Sequence, residues 1–109
     1  MDTAWLTIPD LVDRMGLTPS RIRRLVEERA LPATRREGVL VVPEVFLDDD
    51  DAPMSELRGT VMLLGDLGFD DDEAVAWLLD DEPSLGTSPI EALRAGRKAE
   101  VRRVAQALG

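Results

Sequence analysis

The stretch from residue 18 to residue 36 is rich in arginine, with six arginines against two glutamates. A guanidinium group can donate paired hydrogen bonds to a phosphate or to the edge of guanine, so arginines gathered on one surface suit the recognition of nucleic acid. The six are Arg21, Arg23, Arg24, Arg29, Arg35 and Arg36. This composition indicates an anionic partner.

Cysteine and histidine are both absent from the 109 residues. Their absence removes thiolate and imidazole zinc ligands, the usual pairs of nucleophile and base, and any disulfide. Carboxylates cluster at residues 48–51 and 70–73, but neither cluster has the alternating ligands, central glycine and distal glutamate of a calcium loop. We therefore expect no catalytic residues, no metal and no cofactor, and we do not expect an enzyme.

The net charge of −9 is unevenly distributed along the chain. Residues 1–47 are neutral in sum, residues 48–91 carry −13, and residues 92–109 carry +4. An acidic middle segment repels phosphates and lowers non-specific affinity for nucleic acid, but it does not exclude a nucleic-acid partner. The basic C-terminal residues either form a second DNA-facing surface or neutralise the acidic middle, and the sequence leaves both readings open. They are Arg94, Arg97, Lys98, Arg102 and Arg103.

Two short helices joined by a tight corner would position the arginines. Apolar residues recur at helical spacing over residues 8–15 and predict a first helix that Thr7 caps and Gly16 ends. Thr18 and Pro19 then repeat the start signal, with Thr18 as N-cap and Pro19 at the first helical position. A corner of about three residues containing glycine is typical of a helix-turn-helix.

The second predicted helix buries Ile22, Leu25 and Val26 and turns its polar residues to solvent. Its basic residues lie towards its N-terminal half, the part of a recognition helix that enters the major groove. The alternative is a solvated helix face whose arginines pair with acids of the same fold. The residues expected to contact DNA from this helix are Thr18, Ser20, Arg21, Arg23 and Arg24.

A β-hairpin is predicted over residues 33–43, where two extended runs flank a turn containing Gly38. Arg35 and Arg36 stand near its tip, from which long cationic side chains can reach phosphates or the minor groove beside the recognition site. This hairpin is the predicted wing. Residues 43–47 are expected to add one helical turn that covers it.

The second half of the chain differs in pattern. Four consecutive aspartates at residues 48–51 repel one another and favour an extended chain, so an acidic linker is expected at residues 48–53. Helical patterns follow, with start or stop signals at Gly68, Asp70, Ser88 and Gly96. The predicted fold is mainly α with a small β-hairpin, a winged helix-turn-helix domain over residues 1–47 followed by a helical C-terminal domain over residues 54–109.

The segment from Ile8-Pro9-Asp10-Leu11-Val12 to Val42-Pro43-Glu44-Val45-Phe46 resembles the actinobacterial winged helix-turn-helix DNA-binding proteins and, more distantly, the MerR and excisionase type. The likeness continues through Ala76-Trp77-Leu78 and Pro89-Ile90-Glu91-Ala92-Leu93. It implies a sequence-preferring DNA-binding protein of the transcriptional-regulator type. In this resemblance the groove-entering positions fall on Ser20, Arg21, Arg23 and Arg24, and the wing positions on Arg35 and Arg36.

A second reading comes from the C-terminal pattern, which is similar to the toxin-binding domain of certain antitoxins. It implies a partner protein held by Trp77, Leu78 and Leu79, whereas the plainer interpretation of these three residues is ordinary core. Helix-turn-helix proteins commonly bind as dimers on two half-sites, so a homodimer is also expected. The chain has no run of 18 apolar residues and no signal peptide, which predicts a soluble cytoplasmic protein without a membrane partner.

Overall fold

Three short strands and six α-helices build the described part of the chain, residues 3–108 of a computed structural model. In chain order they are β1 Trp5–Thr7, α1 Ile8–Met15, α2 Pro19–Glu27, β2 Thr34–Arg36, β3 Val39–Pro43, a 3-10 turn Glu44–Phe46, α3 Leu57–Asp66, α4 Asp71–Leu79, α5 Pro89–Arg94 and α6 Lys98–Gln106. The predicted class, mainly α with a small β element, is confirmed.

Local signals start and end the first two helices where the sequence predicts. Thr7 and Asp10 form a capping box on α1, because the side chain of each accepts a hydrogen bond from the backbone N–H of the other. Gly16 ends α1 with φ of 69°, a left-handed conformation open to glycine at low cost. Thr18 Oγ1 accepts from the N–H of Arg21 at 3.2 Å and starts α2.

The sheet has three antiparallel strands in the order β1-β3-β2. Glu37 and Gly38 form the two-residue turn of the predicted hairpin, and both have positive φ (53° and 80°), as a type I′ turn requires. The sequence predicts only this hairpin, and the sheet is larger because Trp5–Thr7 adds a third strand along β3. Three residues are too few to show an alternating pattern of apolar and polar residues, so β1 can be recognised only from its pairing with β3 in the structure.

The acidic run at residues 48–51 is a folded loop, and the expectation of an extended chain there is wrong. The carboxylate of Asp48 accepts from the backbone N–H groups of Asp50 at 2.9 Å and Ala52 at 3.1 Å. The N–H of Asp48 donates to the carbonyl of Ala52 at 2.7 Å, and Leu47 pairs with Pro53 as an isolated bridge. An aspartate side chain bonding the backbone two residues ahead outweighs the repulsion between exposed, solvated charges.

One hydrophobic cluster runs through both halves of the described chain. From the first half it takes Leu11, Ile22, Val42 and Phe46, all fully buried, and from the second half it takes residues on every helix from α3 to α6. The 3-10 turn contributes Phe46, in agreement with the predicted turn after the hairpin. Within residues 3–108, no helix has the length and apolarity needed to cross a membrane.

Candidate nucleic-acid interface

The orientation of α2 is set by its apolar residues. Ile22 is fully buried, and Leu25 and Val26 are half-buried against the core. At about 100° per residue, Arg24 lies about 160° from Ile22 around the helix axis. Arg21 and Arg23 each lie about 100° from Ile22, on opposite sides of the helix. Arg24 is therefore the outermost of the three cations, with one arginine on each flank.

These three arginines are exposed and free of partners inside the described structure. Arg21, Arg23 and Arg24 make no side-chain hydrogen bond and no salt bridge to any of residues 3–108. The alternative reading from the sequence, a helix face whose arginines pair with acids, therefore does not describe them. Their guanidinium groups remain available to an anion outside the chain.

Other arginines of the same half are held by acids. Arg14 on α1 donates to Glu44 at 2.8 Å and to Asp51 at 2.9 Å, and these bonds raise the pKa of its guanidinium further above its usual value. Arg29, just beyond α2, donates from Nε to Asp71 at 3.1 Å. Arg14 and Arg29 are exposed as well, so what distinguishes them from the arginines of α2 within the described structure is that each is paired with an acid.

The N-terminus of α2 adds two hydroxyl groups beside the arginines. Thr18 Oγ1 is occupied as a cap acceptor for Arg21 N–H, and it lies 3.4 Å from the hydroxyl of Ser20. Both side chains are exposed. A hydroxyl that already accepts from the backbone still has a hydrogen to donate, so Thr18 and Ser20 can each serve as a donor to a phosphate at the helix N-terminus.

The two wing arginines lie on opposite faces of the sheet, because they are adjacent in β2. Arg35 is exposed and donates to the carbonyl of Gly38 in the turn at 3.3 Å. Arg36 lies over the ring of Trp5, with its guanidinium carbon 4.5 Å from the ring centroid. Both arginines are near the tip as predicted, but their side chains point in different directions. Arg35 contacts the turn, whereas Arg36 lies across the sheet against Trp5 of β1.

Acidic residues border this surface on one side. Glu27 and Glu28 occupy the C-terminal end of α2. At the start of α4, Asp71 contacts Arg29 just after α2, and Asp72 contacts Thr34 at the base of the wing. A phosphate backbone would be repelled from this side. Arg21 and Arg23 lie in the first half of α2, and Arg24 lies in its last turn, closer to these acids than the sequence pattern suggests. The electrostatically favourable surface therefore extends from the N-terminus of α2 to Arg24 and includes the tip of the wing.

Two of the five basic residues near the C-terminus serve the fold itself. Arg94 donates to the carbonyls of Val45 at 3.1 Å and Leu47 at 2.7 Å, which ties α5 to the first half of the chain. Arg97 donates to Glu100 at 2.7 Å, a bond that raises the pKa of Arg97 and lowers that of Glu100. Arg94 also lies 4.0 Å from the carboxylate of Asp49, and this contact, unlike that of Arg97 with Glu100 in the same segment, neutralises charge of the acidic middle.

The three residues expected to hold a partner protein differ in accessibility. Leu78 has no exposed surface and belongs to the shared core, so it cannot reach a partner while the chain stays folded. Trp77 and Leu79 are half-buried and also pack against that core. A partner surface at this place remains a prediction, and it would have to use the exposed edges of Trp77 and Leu79.

Comparison with known proteins identifies the family. Residues 1–47 match the family model described as the wHTH domain of DNA-binding protein Rv2175c, and residues 54–109 match the model described as the Rv2175c C-terminal domain of unknown function. The chain belongs to the Rv2175c family. Residues 48–53, between the two matched regions, are the loop that Asp48 closes.

DNA-binding protein Rv2175c of Mycobacterium tuberculosis is 31% identical to this chain in an alignment 113 positions long that covers 93% of this chain and 77% of that protein. The NMR structure of Rv2175c aligns with a TM-score of 0.88 at 30% sequence identity, over 98% of this chain and 82% of that one. The resemblance to actinobacterial winged helix-turn-helix proteins is therefore confirmed, together with the predicted fold.

Within this Rv2175c-type fold, sequence reasoning missed three contributors to the arginine surface. Trp5 supports a wing arginine, and Asp71 and Asp72 contact the end of α2 and the base of the wing. For Asp71 and Asp72, the sequence does contain a signal. Asp70 and Glu73 form the capping box of α4 by themselves, so the two aspartates between them are not needed as caps and can make other contacts. No local pattern marks Trp5.

Proposed function

We propose that this chain is a sequence-preferring, double-stranded DNA-binding protein that acts as a transcriptional regulator. The observation that carries the proposal is the trio Arg21, Arg23 and Arg24, exposed on α2 without an acid partner among residues 3–108. Membership of the Rv2175c family supports it, because the relative from Mycobacterium tuberculosis is named a DNA-binding protein. The proposed role is binding, with no catalytic step.

In the proposed complex, α2 enters the major groove with Arg24 foremost. Arg24 donates to the edge of a base, where a bidentate contact with guanine gives sequence preference. Arg21 and Arg23, on the two flanks of the helix, reach the phosphates of the two strands that border the groove. Thr18 and Ser20 donate to a phosphate at the N-terminus of α2, where the helix dipole favours an anion.

The wing adds contacts beside the groove. Arg35 is exposed near the turn and extends to the adjacent backbone, so it contributes affinity without reading sequence. Arg36 can contribute the part of its guanidinium that Trp5 leaves uncovered. We further propose that two copies bind half-sites about one helical turn apart, the spacing common to helix-turn-helix dimers.

The test begins with selection of bound fragments from a random DNA pool, followed by fluorescence anisotropy titration of the selected duplex. Arg24→Ala should weaken binding to the selected duplex by about 1–3 kcal/mol and relax preference at one base position. Arg58→Ala is the matched control, since Arg58 is an exposed arginine on α3 and its loss changes net charge equally. Equal losses for both variants would contradict direct readout by α2.

Salt dependence gives a second measure of the same surface. If about five phosphates are neutralised per protomer, the slope of log K against log salt should be roughly −4.5. Removing a phosphate contact, as in Arg23→Ala, should make the slope less steep by about 1 and weaken all sequences alike. A slope near zero would contradict a DNA partner.

A further inference from the structure

The first turn of α4 touches both elements of the proposed DNA-binding surface. Asp71 accepts a hydrogen bond from Nε of Arg29, which directly follows the C-cap of α2, at 3.1 Å. Asp72 accepts from the hydroxyl of Thr34, the first residue of β2. Two adjacent carboxylates of the C-terminal half therefore connect the end of the recognition helix with the base of the wing.

Arg29 adopts a backbone conformation that glycine usually takes at the end of a helix. Its φ is 60°, in the left-handed region. The N–H groups of Ala30 and Leu31 both return to the carbonyl of Leu25, so the chain needs this conformation to turn towards the wing. An arginine in a glycine-type position costs backbone strain, which persists where surrounding contacts hold the residue.

The two carboxylates are not needed to cap α4. The side chain of Asp70 accepts from the N–H of Glu73, and the side chain of Glu73 accepts from the N–H of Asp70. Asp71 and Asp72 lie between them with exposed side chains that are directed to Arg29 and Thr34. Their contacts are with the first half of the chain.

We propose that Asp71 and Asp72 are positioning residues for DNA binding. They fix the end of α2 relative to the wing, so that Arg24 and Arg35 meet a duplex as one surface. The proposal rests on the proposed function, and it gives the C-terminal half of the fold a role in recognition without any contact between that half and DNA.

Electrostatics alone predicts the opposite result. Asp71 and Asp72 lie beside a surface that binds phosphates, so their neutralisation should tighten binding if charge is all that matters. If they position α2 and the wing, their removal should weaken binding to the selected duplex. The sign of the change therefore decides between the two.

The experiment compares Asp71→Ala/Asp72→Ala with Asp80→Ala/Asp81→Ala by anisotropy titration on the selected duplex. Asp80 and Asp81 are exposed acids beyond the other end of α4, so the control makes the same change in net charge. We expect Asp71→Ala/Asp72→Ala to bind the duplex about tenfold more weakly than wild type, because the contacts that hold α2 and the wing together are lost. Asp80→Ala/Asp81→Ala should bind as tightly as wild type or slightly more tightly.

Conservative variants separate positioning from a merely structural role. Asp72→Asn keeps an oxygen that accepts from Thr34 and should retain wild-type affinity for DNA. Thr34→Val should weaken DNA binding as much as Asp72→Ala does. The double variant Thr34→Val/Asp72→Ala should bind no more weakly than either single variant, because both changes remove the same hydrogen bond. Arg29→Gly removes the contact but also relieves the backbone strain. It should leave the melting temperature unchanged or higher. Because it also removes a cation, which weakens DNA binding by itself, its effect on positioning is measured by increased hydrogen exchange of the wing amides.

Hydrogen exchange of the wing amides, measured without DNA, supplies a readout that does not depend on the proposed function. Asp71→Ala/Asp72→Ala should increase exchange over residues 34–43, and Asp80→Ala/Asp81→Ala should not. A wild-type chain that binds no duplex would overturn the proposed function and the positioning role with it. Tight DNA binding by wild type and by both double variants would overturn the positioning role alone.

Discussion

Arg36 lies over the indole of Trp5, with its guanidinium carbon 4.5 Å from the ring centroid. The two residues belong to β2 and β1, the outer strands of the sheet, so the contact spans the central strand β3. Trp5 is half-buried and Arg36 is exposed, and a cation–π contact near the surface contributes about 0.5–1 kcal/mol. Trp5 therefore limits how far Arg36 extends from the wing, and it links the start of the chain to the proposed DNA-binding surface.

A double-mutant cycle tests this contact. Trp5→Leu and Arg36→Met should each lower the free energy of unfolding, and the double variant should lose less than the sum by about 0.5–1 kcal/mol, because either change removes the same cation–π contact. Urea unfolding followed by circular dichroism measures all four chains. Fully additive losses would mean that the two side chains do not interact in solution.

The turn of the wing offers a stabilising change. Glu37 has φ of 53° at the first central position of the hairpin turn, where asparagine and glycine are preferred. Glu37→Asn should raise the free energy of unfolding by about 0.4–1 kcal/mol, since the left-handed conformation then costs less. Gly38→Ala is the paired test with the opposite sign, because Gly38 has φ of 80° and a Cβ there is strained. The midpoints of urea unfolding should move in opposite directions.

Acid should weaken the N-terminal capping box of α1. The pKa of Asp10 is lowered because its carboxylate accepts from the backbone N–H of Thr7 and interacts with the Thr7 side chain. A lowered pKa in the folded state means that the contribution to stability is present above the unfolded value of about 3.9 and is lost as pH falls through the folded pKa.

Thermal melts of wild type and Asp10→Ala at a series of pH values check this dependence. The melting temperature of the variant should be lower at pH 7, and the difference should narrow as pH falls below about 4. Asp13→Ala provides a comparison on the same helix, since Asp13 is exposed and forms no side-chain hydrogen bond with residues 3–108. A difference that stays constant down to pH 2 would argue against the ionised carboxylate as the acceptor.

The shared core predicts that the two halves unfold together. Ile22→Ala and Leu78→Ala each open a fully buried site, one in each half, and each should lower the free energy of unfolding by about 2–5 kcal/mol. Leu108→Ala is the control, because Leu108 is 46% exposed and its truncation should change stability little.

Tryptophan fluorescence can follow each half separately. Trp77→Phe leaves Trp5 as reporter of the first half, and Trp5→Phe leaves Trp77 as reporter of the second. When Ile22→Ala is introduced into each single-tryptophan chain, both reporters should shift to lower urea by the same amount if one core unites the halves. Separate midpoints would show that the halves are independent folding units.

Local signals in the sequence predict the boundaries of several helices. Thr7, Gly16, Thr18 and Asp70 act on backbone groups within about four residues, so their pattern predicts where helices begin and end whatever the rest of the chain does. Helical periodicity likewise predicts that Ile22 turns inward and that the arginines beside it turn outward. The predicted winged helix-turn-helix and the helices after it follow from such signals.

Contacts between distant residues were not predictable in the same way. β1 exists because Leu6 pairs with Val42, and a strand of three residues has no pattern of its own. The aspartates of residues 48–51 suggest an extended segment by charge alone, but the position of Asp48 relative to its own backbone N–H neighbours closes a loop. In both cases the deciding hydrogen bonds depend on geometry that composition does not contain.

The sequence by itself determined the first two helices, the caps at Thr7, Thr18 and Asp70, and the outward rotation of the arginines beside Ile22, because backbone hydrogen bonding and burial of Ile22 act over a few residues. Tertiary structure decided which arginines remain free. Arg14 looks no different from Arg24 in the sequence, but Glu44 and Asp51 lie 30 and 37 residues further along the chain and bind it. An ion pair depends on the distance between charged atoms, and only the folded chain fixes that distance.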